Sequence, residues 1–457
     1  MLNINPKIFK AYDIRGLYGE DFSNDFAYQL GLAFVALRKN DADFPPDKKL
    51  RVAVAADMRL SSPALKKKLL AGLIAGGVEA VDLGEIATPS LYFAVGHYNY
   101  DGGIMVSASH NPKEWNGFKI VRSNGLPVSG QNGLEWLRDK ILENKLKPAV
   151  TPGKVSANSE VLKDELTYAF SLVDKQKIKA FKIVADAANS MGATYLKPLF
   201  TDLSAQLIPL NFELDGNFPA HEADPLKEEN MRQLSAAVIK EGADLGIATD
   251  GDGDRVFFVD NQGKTIDPAI IRGLLSQIFL KDKPGSKIGY DARPGKITKD
   301  MIEEAGGQAV ITRVGHSLIK GQMLKEGLYF AGESSGHFFL QGEAGCFEYP
   351  PLMILKLLEH FSGLEKDLAS YLKVYKKYFH SGEINRVVAD SGEIFKKLAS
   401  KYQDGKISYL DGISVEYPDF WFNVRASNTE AKVRLNLEAI NEELMKTKRD
   451  EVLALIN

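Results

Sequence analysis

The stretch Arg51-Val-Ala-Val-Ala-Ala-Asp57 largely decides how this chain is expected to fold. Its continuous apolar run is typical of a strand that is buried on both faces of an α/β sheet. Ser61-Ser62-Pro63-Ala64 follows it, with an N-cap pair and a proline suited to the first helical position. We expect the helix to end near Gly76-Gly77 and the next strand to span 78–83. This order of strand, helix and strand predicts an α/β unit.

Two later stretches begin in the same way, Lys182-Ile-Val-Ala-Asp186 and Lys287-Ile-Gly-Tyr-Asp291. Each of the three segments reaches another strand that ends in a polar, glycine-containing loop. These strand and loop pairs are 102–107 with 108–112, 243–249 with 250–255, and 327–331 with 332–337. We interpret the pattern as an internal triplication. The three loops would lie beyond the carboxyl ends of strands, where α/β sheets bind ligands.

The remaining chain suggests where the domains divide. The stretch 148–159 is rich in Pro, Gly, Ser and Asn and is typical of a linker. From about Leu368 onward, short strands alternate with charged helices, which predicts a separate α+β domain. We therefore predict three α/β domains and one C-terminal α+β domain, at 1–153, 154–256, 257–367 and 368–457.

Composition narrows the functional class. The 457 residues carry a net charge of −3 with no concentrated basic excess, so we expect no nucleic-acid partner. The N-terminus has no secretory pattern and no apolar stretch approaches the ~18 residues of a membrane span, so we expect no membrane association. A single cysteine, Cys346, excludes an internal disulfide and fits a reducing compartment. The expected location is the cytoplasm.

The loop Asp250-Gly-Asp252-Gly-Asp254-Arg255 is the most informative stretch. Three carboxylates at alternate positions can surround one hard cation, and clustered carboxylates repel each other without one. An EF-hand would need Gly at the position of Arg255 and Glu at the position of Asn261, so that interpretation fails. A haloacid-dehalogenase-type phosphatase and a ligand-free Asx turn remain as alternatives. The prediction is a Mg²⁺ site.

The other loops carry hydroxyls and charges. Ser109 is followed by His110, although neighbouring side chains often point apart, so a solvated turn stays open as an alternative. Lys119 could hold a phosphoryl oxygen. Arg425 leads into hydroxyl and backbone donors suited to a phosphate, while an ordinary turn would have a similar sequence. Glu333 supplies a carboxylate that could accept hydrogen bonds from sugar hydroxyls.

Together these loops resemble the α-D-phosphohexomutase family. The resemblance rests on Ala11-Tyr-Asp-Ile-Arg-Gly16, Ser107-Ala-Ser-His-Asn-Pro112, 250–255, Gly332-Glu-Ser-Ser-Gly-His337 and Arg425-Ala-Ser-Asn-Thr429, which occur in the family's order. It implies four domains in a heart-shaped molecule around one cleft. Ser334 and Ala431 depart from common family residues and weaken any assignment to a subgroup.

The resemblance also assigns roles to residues. It implies that Ser109 is the phosphorylated serine, and that Mg²⁺ is held by the phosphoserine and three carboxylates, namely Ser109, Asp250, Asp252 and Asp254. The residues around the transferring group would be Arg15, His110, Lys119, Arg255 and His337. The residues that bind the rest of the substrate would be Tyr12, Arg293, His316, Glu333, Ser335, Arg425, Ser427, Asn428 and Thr429.

The activity implied by the resemblance is reversible phosphoryl transfer between the 1- and 6-positions of mannose and glucose phosphates. It would use glucose 1,6-bisphosphate or mannose 1,6-bisphosphate as intermediate and activator. Phosphoglucosamine mutase is the main rival in substrate. A metal-dependent sugar phosphatase and a non-catalytic sugar-phosphate-binding protein are rivals in class. The expected partners are small hexose phosphates, with the protein a monomer or weak homodimer.

Overall fold

The structure is a computed structural model that describes residues 4–42, 44–45, 48–130, 132–293, 295–426 and 431–456. It divides into two compact units. The first comprises Met1–Ile266 and Ser335–Ala369, and the second comprises Asp267–Ser334 and Ser370–Asn457.

The first sheet lies in the first unit. Its strands are β1 (Ile14–Leu17), β2 (Arg51–Ala56), β3 (Glu79–Glu85), β4 (Gly102–Val106), β5 (Trp115–Arg122) and β6 (Lys154–Ala157). Its helices are α1 (Asn24–Asn40), α2 (Ser62–Ala75), α3 (Thr88–His97) and α4 (Leu134–Glu143), with 3₁₀ turns at Pro6–Ile8 and Ser123–Gly125. The strand order is β1-β5-β4-β2-β3-β6, in which β5 runs antiparallel to both neighbours. Gly72 lets α2 approach α1, because a Cβ there would lie 2.1 Å from the carbonyl oxygen of Tyr28.

The second sheet also lies in the first unit. Its strands are β7 (Lys182–Asp186), β8 (Gln206–Leu210), β9 (Leu245–Thr249) and β10 (Val256–Asp260). The associated helices are α5 (Val161–Ser171), α6 (Gly192–Thr201) and α7 (Glu228–Glu241), with a 3₁₀ turn at Lys175–Lys177. The strand order is β10-β9-β7-β8. A core of apolar side chains from α7 and the sheet packs against one face, with Leu234 and Val238 fully buried.

The third repeat lies mainly in the second unit. It contains β11 (Lys287–Asp291), β12 (Gln308–Thr312), β13 (Phe330–Gly332), α8 (Pro268–Asp282), α9 (Lys296–Glu304) and α10 (His316–Glu326). Strand β11 pairs in parallel with β12 on one side and β13 on the other. The chain then re-enters the first unit, where it forms an antiparallel hairpin of β14 (Phe338–Gly342) and β15 (Gly345–Glu348), followed by α11 (Pro350–Ser362).

The strand orders confirm the internal triplication. In each repeat the first strand lies between the next two, as β3-β2-β4, β8-β7-β9 and β12-β11-β13. The serine loop follows β4, the acidic loop follows β9, and Glu333 follows β13. The three loops are therefore topologically equivalent, as the sequence predicted.

The C-terminal part of the second unit is an antiparallel sheet with helices. After α12 (Leu368–Leu372) and a 3₁₀ turn at Lys373–Tyr375, it contains β16 (Phe379–His380), β17 (Ile384–Val387), α13 (Ser391–Lys401), β18 (Lys406–Ser408), β19 (Ile413–Glu416), β20 (Phe420–Ala426), β21 (Lys432–Ala439) and α14 (Glu442–Ile456). The order is β16-β21-β20-β19-β18, with β17 also paired to β21. The α/β and α+β fold class is confirmed. Across the described ranges, no helix is long and apolar enough to cross a membrane.

Three local predictions need correction. Residues 148–159 are not only a linker, because β6 lies within them, pairs with β3 and forms one edge of the first sheet. The third repeat's last strand begins at Phe330, since Gly327 forms the left-handed cap of α10 with a φ of +71°. Ser61 precedes α2 as predicted, but its hydroxyl makes no capping bond and instead accepts from the Asn116 side chain at 2.7 Å.

A buried acid lies among the helices of the first unit. Glu165 on α5 is 0% exposed, and its Oε2 accepts a hydrogen bond from the Ser90 hydroxyl on α3. Its Oε1 has no hydrogen-bond partner among the described residues. Burial outweighs the Ser90 bond and raises the pKa of Glu165 from 4.5 to about 7. The folded state therefore favours the neutral acid.

We predict that Glu165→Gln reduces the loss of stability with rising pH. By linkage, the raised pKa contributes about 3 kcal/mol to the free energy of unfolding. This contribution is fully present below pH 4.5 and is lost as pH rises through about 7. Urea unfolding at pH 5 and pH 8 should show the variant stabilised relative to wild type at pH 8 only. Glu160→Gln, at an exposed acid just before α5, is the control and should leave the change in unfolding free energy between pH 5 and pH 8 as in wild type. Equal slopes for wild type and Glu165→Gln would contradict the assignment.

Candidate functional site

Three aspartates lie together in the loop after β9. Asp250, Asp252 and Asp254 are each 0% exposed, and one carboxylate oxygen from each lies within 4.8 Å of the other two. The Tyr195 hydroxyl holds the loop by donating to the carbonyl oxygen of Gly253 over 3.0 Å. Gly253 has a φ of +74°, a conformation that favours glycine. The acidic cluster predicted from the sequence is therefore assembled by the fold.

Two basic side chains offset part of this negative charge. Lys119 on β5 places its Nζ 2.5 Å from an oxygen of Asp252 and 2.5 Å from an oxygen of Asp254. His337 Nε2 lies 3.2 Å from Asp254 Oδ1. Although burial opposes its ionisation, Lys119 and His337 hold the pKa of Asp254 well below its usual range. Burial likewise opposes the charge of Lys119, but the two carboxylates raise the pKa of Lys119 well above its usual range.

Asp250 has a different environment. Its Oδ2 lies 3.6 Å from Nε of Arg255, which is farther than a hydrogen bond. Burial, followed by repulsion from Asp254 and Asp252, raises the pKa of Asp250 to about 7. Asp250, the carboxylate that accepts from Ser109, is therefore the one of the three whose ionised form is least stabilised by its surroundings.

The donor set fits a hard divalent cation. Oδ1 of Asp252 is buried and has no hydrogen-bond partner within the described ranges, so a ligand position is available. The oxygens of Asp250, Asp252 and Asp254 suit Mg²⁺ better than Zn²⁺, which prefers nitrogen and sulfur ligands. An oxygen-ligated cation would also relieve the repulsion among the three carboxylates.

The serine loop brings a hydroxyl to this cluster. Ser109 is 1% exposed and donates from Oγ to Asp250 Oδ2 at 2.9 Å. His110 Nδ1 lies 3.2 Å from the same hydroxyl, so the neighbouring side chains point together rather than apart. The backbone of Ser109 has a φ of +52°, an uncommon conformation for a residue other than glycine or asparagine. The strained turn directs the hydroxyl at the acidic loop.

Gly251 explains how closely the two loops can approach. A Cβ at this position would lie 2.3 Å from the carbonyl oxygen of Ser109. That oxygen belongs to the backbone and cannot rotate away as a side chain would. Glycine between the first two aspartates therefore permits the contact between Asp250 and Ser109.

Three further predicted residues lie in the first unit. Arg15 donates to Asn111 in the serine loop at 2.8 Å and to Asp13 at 2.7 Å. Burial works against its charge, but Asp13 raises the pKa of Arg15. Ser335 Oγ lies 2.9 Å from Nδ1 of His337. Tyr12 is half-buried just before β1.

A second group of predicted residues lies in the second unit. Arg293 contacts Glu333 at 3.0 Å and donates to Asp291 at 2.6 Å. The backbone N–H of Gly315 donates to Glu333 Oε1 at 2.9 Å, immediately before His316 begins α10. The carboxylate of Glu333 is therefore held by one backbone donor and by the ion pair with Arg293.

The predicted phosphate loop is described only in part. The guanidinium of Arg425 lies beside Glu383, and its Nη2 donates to the Glu383 carboxylate at 3.0 Å. Ser427, Asn428 and Thr429 lie outside the described residues. Of the four predicted phosphate-binding residues in this loop, the structure therefore describes the contacts of Arg425 alone.

The fold brings in polar residues that sequence reasoning did not single out. Thr88 at the start of α3 donates its hydroxyl to Asp252. Asp291, known from the sequence only as a strand end, accepts from both Arg293 and Arg272. Arg59 donates to the carbonyl of Ser109 at 2.8 Å from 50 positions away. The only sequence signal for Arg59 was its position two residues after Asp57, at the end of the predicted strand.

Family models match the chain in four consecutive parts. They are the phosphoglucomutase/phosphomannomutase α/β/α domains I, II and III, which match residues 6–147, 162–263 and 267–378, and the C-terminal domain, which matches 383–455. The order agrees with the three repeats and the C-terminal sheet.

Individual relatives match over almost the full chain. A phosphomannomutase of Methanocaldococcus jannaschii is 37% identical, with 98% of this chain and 97% of the relative covered. A protein of Xanthomonas campestris described as phosphohexose mutases is 36% identical, with 98% of each covered. A crystal structure of a phosphoglucomutase/phosphomannomutase family protein from Burkholderia thailandensis has a TM-score of 0.88 at 31% identity, covering 99% of this chain and 97% of that one. The chain therefore belongs to the α-D-phosphohexomutase family and is a phosphomannomutase/phosphoglucomutase-type hexose phosphate mutase, an isomerase.

Proposed function

We propose that this enzyme moves a phosphoryl group between the 1- and 6-positions of glucose and mannose phosphates through a phosphoserine at Ser109. The observation that carries the proposal is the buried Ser109 hydroxyl, 2.9 Å from Asp250 and 3.2 Å from His110. A hydroxyl placed between a carboxylate cluster and an imidazole is suited to accept and return a phosphoryl group.

The reaction has two phosphoryl transfers. Phosphoserine 109 first donates its phosphoryl group to the free hydroxyl of a bound hexose monophosphate, which gives a 1,6-bisphosphate. The bisphosphate then turns, and its other phosphoryl group returns to the serine oxygen as the P–O bond to the sugar breaks. Glucose 1,6-bisphosphate or mannose 1,6-bisphosphate would thus serve as both intermediate and activator.

His110 is the residue we assign to the proton of the serine hydroxyl. Burial first, and then the nearby charges of Arg255 and Arg15, lower the pKa of His110 well below its usual value. The imidazole is therefore neutral at physiological pH and can accept the proton as Ser109 takes up phosphate. The proton then passes to the sugar oxygen that is released, and in the opposite transfer the attacking sugar hydroxyl supplies the proton that the serine oxygen gains.

Basic side chains are proposed to hold the phosphoryl oxygens. Arg15, Lys119, Arg255 and His337 lie around the serine and acidic loops in the first unit. Phosphoryl transfer passes through a loose transition state with charge on the equatorial oxygens, and fixed donors stabilise that charge.

Asp250, Asp252 and Asp254, together with the phosphoserine, are proposed to hold Mg²⁺. When bound, the ion would supply positive charge to the phosphoryl oxygens. The three carboxylates would orient that charge toward Ser109, since Asp250 already contacts the serine oxygen.

The rest of the substrate is assigned to sugar and phosphate contacts. Glu333 and Ser335 are proposed to bind hydroxyls, and Arg293 and His316 to line the sugar site. We propose that the phosphate that is not transferring is held by Arg425, Ser427, Asn428 and Thr429. Tyr12 is proposed to help position the substrate. Support for this part comes from family membership and from the oriented carboxylate of Glu333.

The rival functions make different predictions. A phosphoglucosamine mutase would prefer glucosamine 1-phosphate. A phosphatase would release inorganic phosphate steadily, and a non-catalytic protein would bind sugar phosphate without turnover. The burial of the serine, the carboxylates and the basic side chains in one site favours an enzyme over a non-catalytic sugar-phosphate-binding protein.

We predict that turnover depends on Mg²⁺ held by the acidic loop. Chelation should stop the reaction and added Mg²⁺ should restore it. Asp252→Asn should lower kcat about 100-fold, because charge stabilisation in the transition state is lost. Calorimetric titration with Mg²⁺ should show weakened binding. Asp202→Asn, an exposed position in the same α/β repeat, should behave as wild type. Full activity in excess chelator would contradict the metal site.

We predict that glucose and mannose phosphates are both substrates. These sugars differ only at C2, whereas the family resemblance implies that Glu333 and Ser335 contact the hydroxyls at C3 and C4. Discrimination without a dedicated hydrogen bond is worth about 1–3 kcal/mol, so kcat/KM should differ by no more than about 200-fold. The assay compares mannose, glucose and glucosamine 1-phosphates under identical Mg²⁺ and bisphosphate.

A matched variant sharpens this substrate test. Glu333→Gln preserves side-chain shape and should lower kcat/KM for both epimers by the same factor. A preference for glucosamine 1-phosphate by orders of magnitude would contradict the glucose and mannose assignment, while leaving the phosphoserine mechanism open to its own test.

A further inference from the structure

One buried arginine outside the proposed catalytic set binds the backbone of the serine loop. Arg59 lies between β2 and α2, and its side chain is 0% exposed. Its Nη2 donates to the carbonyl oxygens of Ser109 at 2.8 Å and Asn111 at 2.6 Å. Its Nη1 donates to the carbonyls of Pro112 at 2.7 Å and Trp115 at 3.0 Å. One side chain therefore contacts four carbonyls between Ser109 and the first residue of β5.

The fifth donor of the guanidinium is also used. Nε of Arg59 donates to Asp57 Oδ2 at 3.2 Å, and the other Asp57 oxygen accepts from the Arg59 backbone and the Ser62 hydroxyl. The guanidinium carbon lies 5.1 Å from the centre of the Phe218 ring. A guanidinium has five N–H donors in a rigid plane, and here all five have acceptors. The group is held firmly enough to act as a template for the loop.

The turn that Arg59 binds is the one that needs support. Ser109 has a φ of +52°, a conformation that costs free energy for a residue with a Cβ. Its carbonyl oxygen is also the atom that a Cβ on Gly251 would meet at 2.3 Å. Because that carbonyl is fixed from one side by Arg59 and abutted by the acidic loop, its position determines where the Ser109 hydroxyl lies relative to Asp250.

We propose that Arg59 is a positioning residue for phosphoryl transfer, acting through the serine loop to hold the Ser109 hydroxyl in line with the acidic loop. The effect on rate rests on the function proposed above, whereas the effect on loop geometry does not. Lysine is a poor substitute, since one ammonium cannot reach four carbonyls and a carboxylate in a planar arrangement. Because Arg59 is proposed to touch no substrate, its loss should lower kcat with little effect on KM.

The test combines kinetics with hydrogen exchange in Arg59→Lys and Arg59→Ala. A displacement of about 1 Å in a reacting group can cost about 100-fold, so we expect Arg59→Lys to lower kcat by about that factor with KM within about twofold. Exchange of the amides in 107–116 should accelerate. In Arg59→Ala, added guanidinium ion at non-denaturing concentration should partly restore kcat by occupying the vacated site.

Arg38→Ala is the matched control. Arg38 is also a buried arginine of the first unit, and it donates to the carbonyl of Asp101 at 2.9 Å, away from the serine loop. Its removal should lower thermal stability while leaving kcat, guanidinium response and exchange in 107–116 as in wild type. If Arg59→Ala does not fold, Arg59→Lys decides.

Two results would overturn the proposal. One is unchanged exchange in 107–116 when Arg59 is replaced, which denies the positioning role whether or not the enzyme is a mutase. The other is a folded Arg59→Lys variant with kcat within about threefold of wild type. Absence of mutase activity in the wild-type protein would instead contradict the proposed function, and hydrogen exchange would still decide the role of Arg59.

Discussion

Burial of three aspartates in one short loop is the constraint on which the rest of the site depends. Mutual repulsion in a region of low dielectric would disperse Asp250, Asp252 and Asp254 unless positive charge lay close by. Lys119 and His337 provide part of that charge and keep Asp254 ionised. The ionised form of Asp250, beside the serine hydroxyl, remains poorly stabilised. A bound cation would relieve this repulsion and would bring positive charge to the serine loop.

The repeated fold makes this arrangement possible. Each α/β repeat places a loop after its third strand, and the equivalent loops carry different chemistry. In the first repeat the loop presents a hydroxyl, in the second it presents carboxylates, and in the third it leads to Glu333. Buried strands such as β4 and β9 anchor the loops rigidly, since every one of their residues is buried. Specialised chemistry therefore arises from small changes on one repeated scaffold.

Much of this could be predicted from the sequence, because local patterns encode it. Apolar runs ending in Asp57, Asp186 and Asp291 mark the strands, and alternating aspartates mark the acidic loop. The supporting contacts could not be predicted, since they join distant parts of the chain. Arg59 meets Ser109 over 50 positions and gives no periodic signal. The strand β6 was also missed, because edge pairing with β3 overrides a composition typical of a linker.

The central claim is that the phosphoryl group passes through Ser109. It is tested most directly by phosphorylating the enzyme with radiolabelled glucose 1,6-bisphosphate, removing the sugar, adding unlabelled mannose 1-phosphate with Mg²⁺, and quenching within the first turnover. We expect label to leave the protein and appear in sugar bisphosphate or mannose 6-phosphate in equal amount, and Ser109→Ala to take up no label. Formation of mannose 6-phosphate while the label stays on the protein would contradict the account.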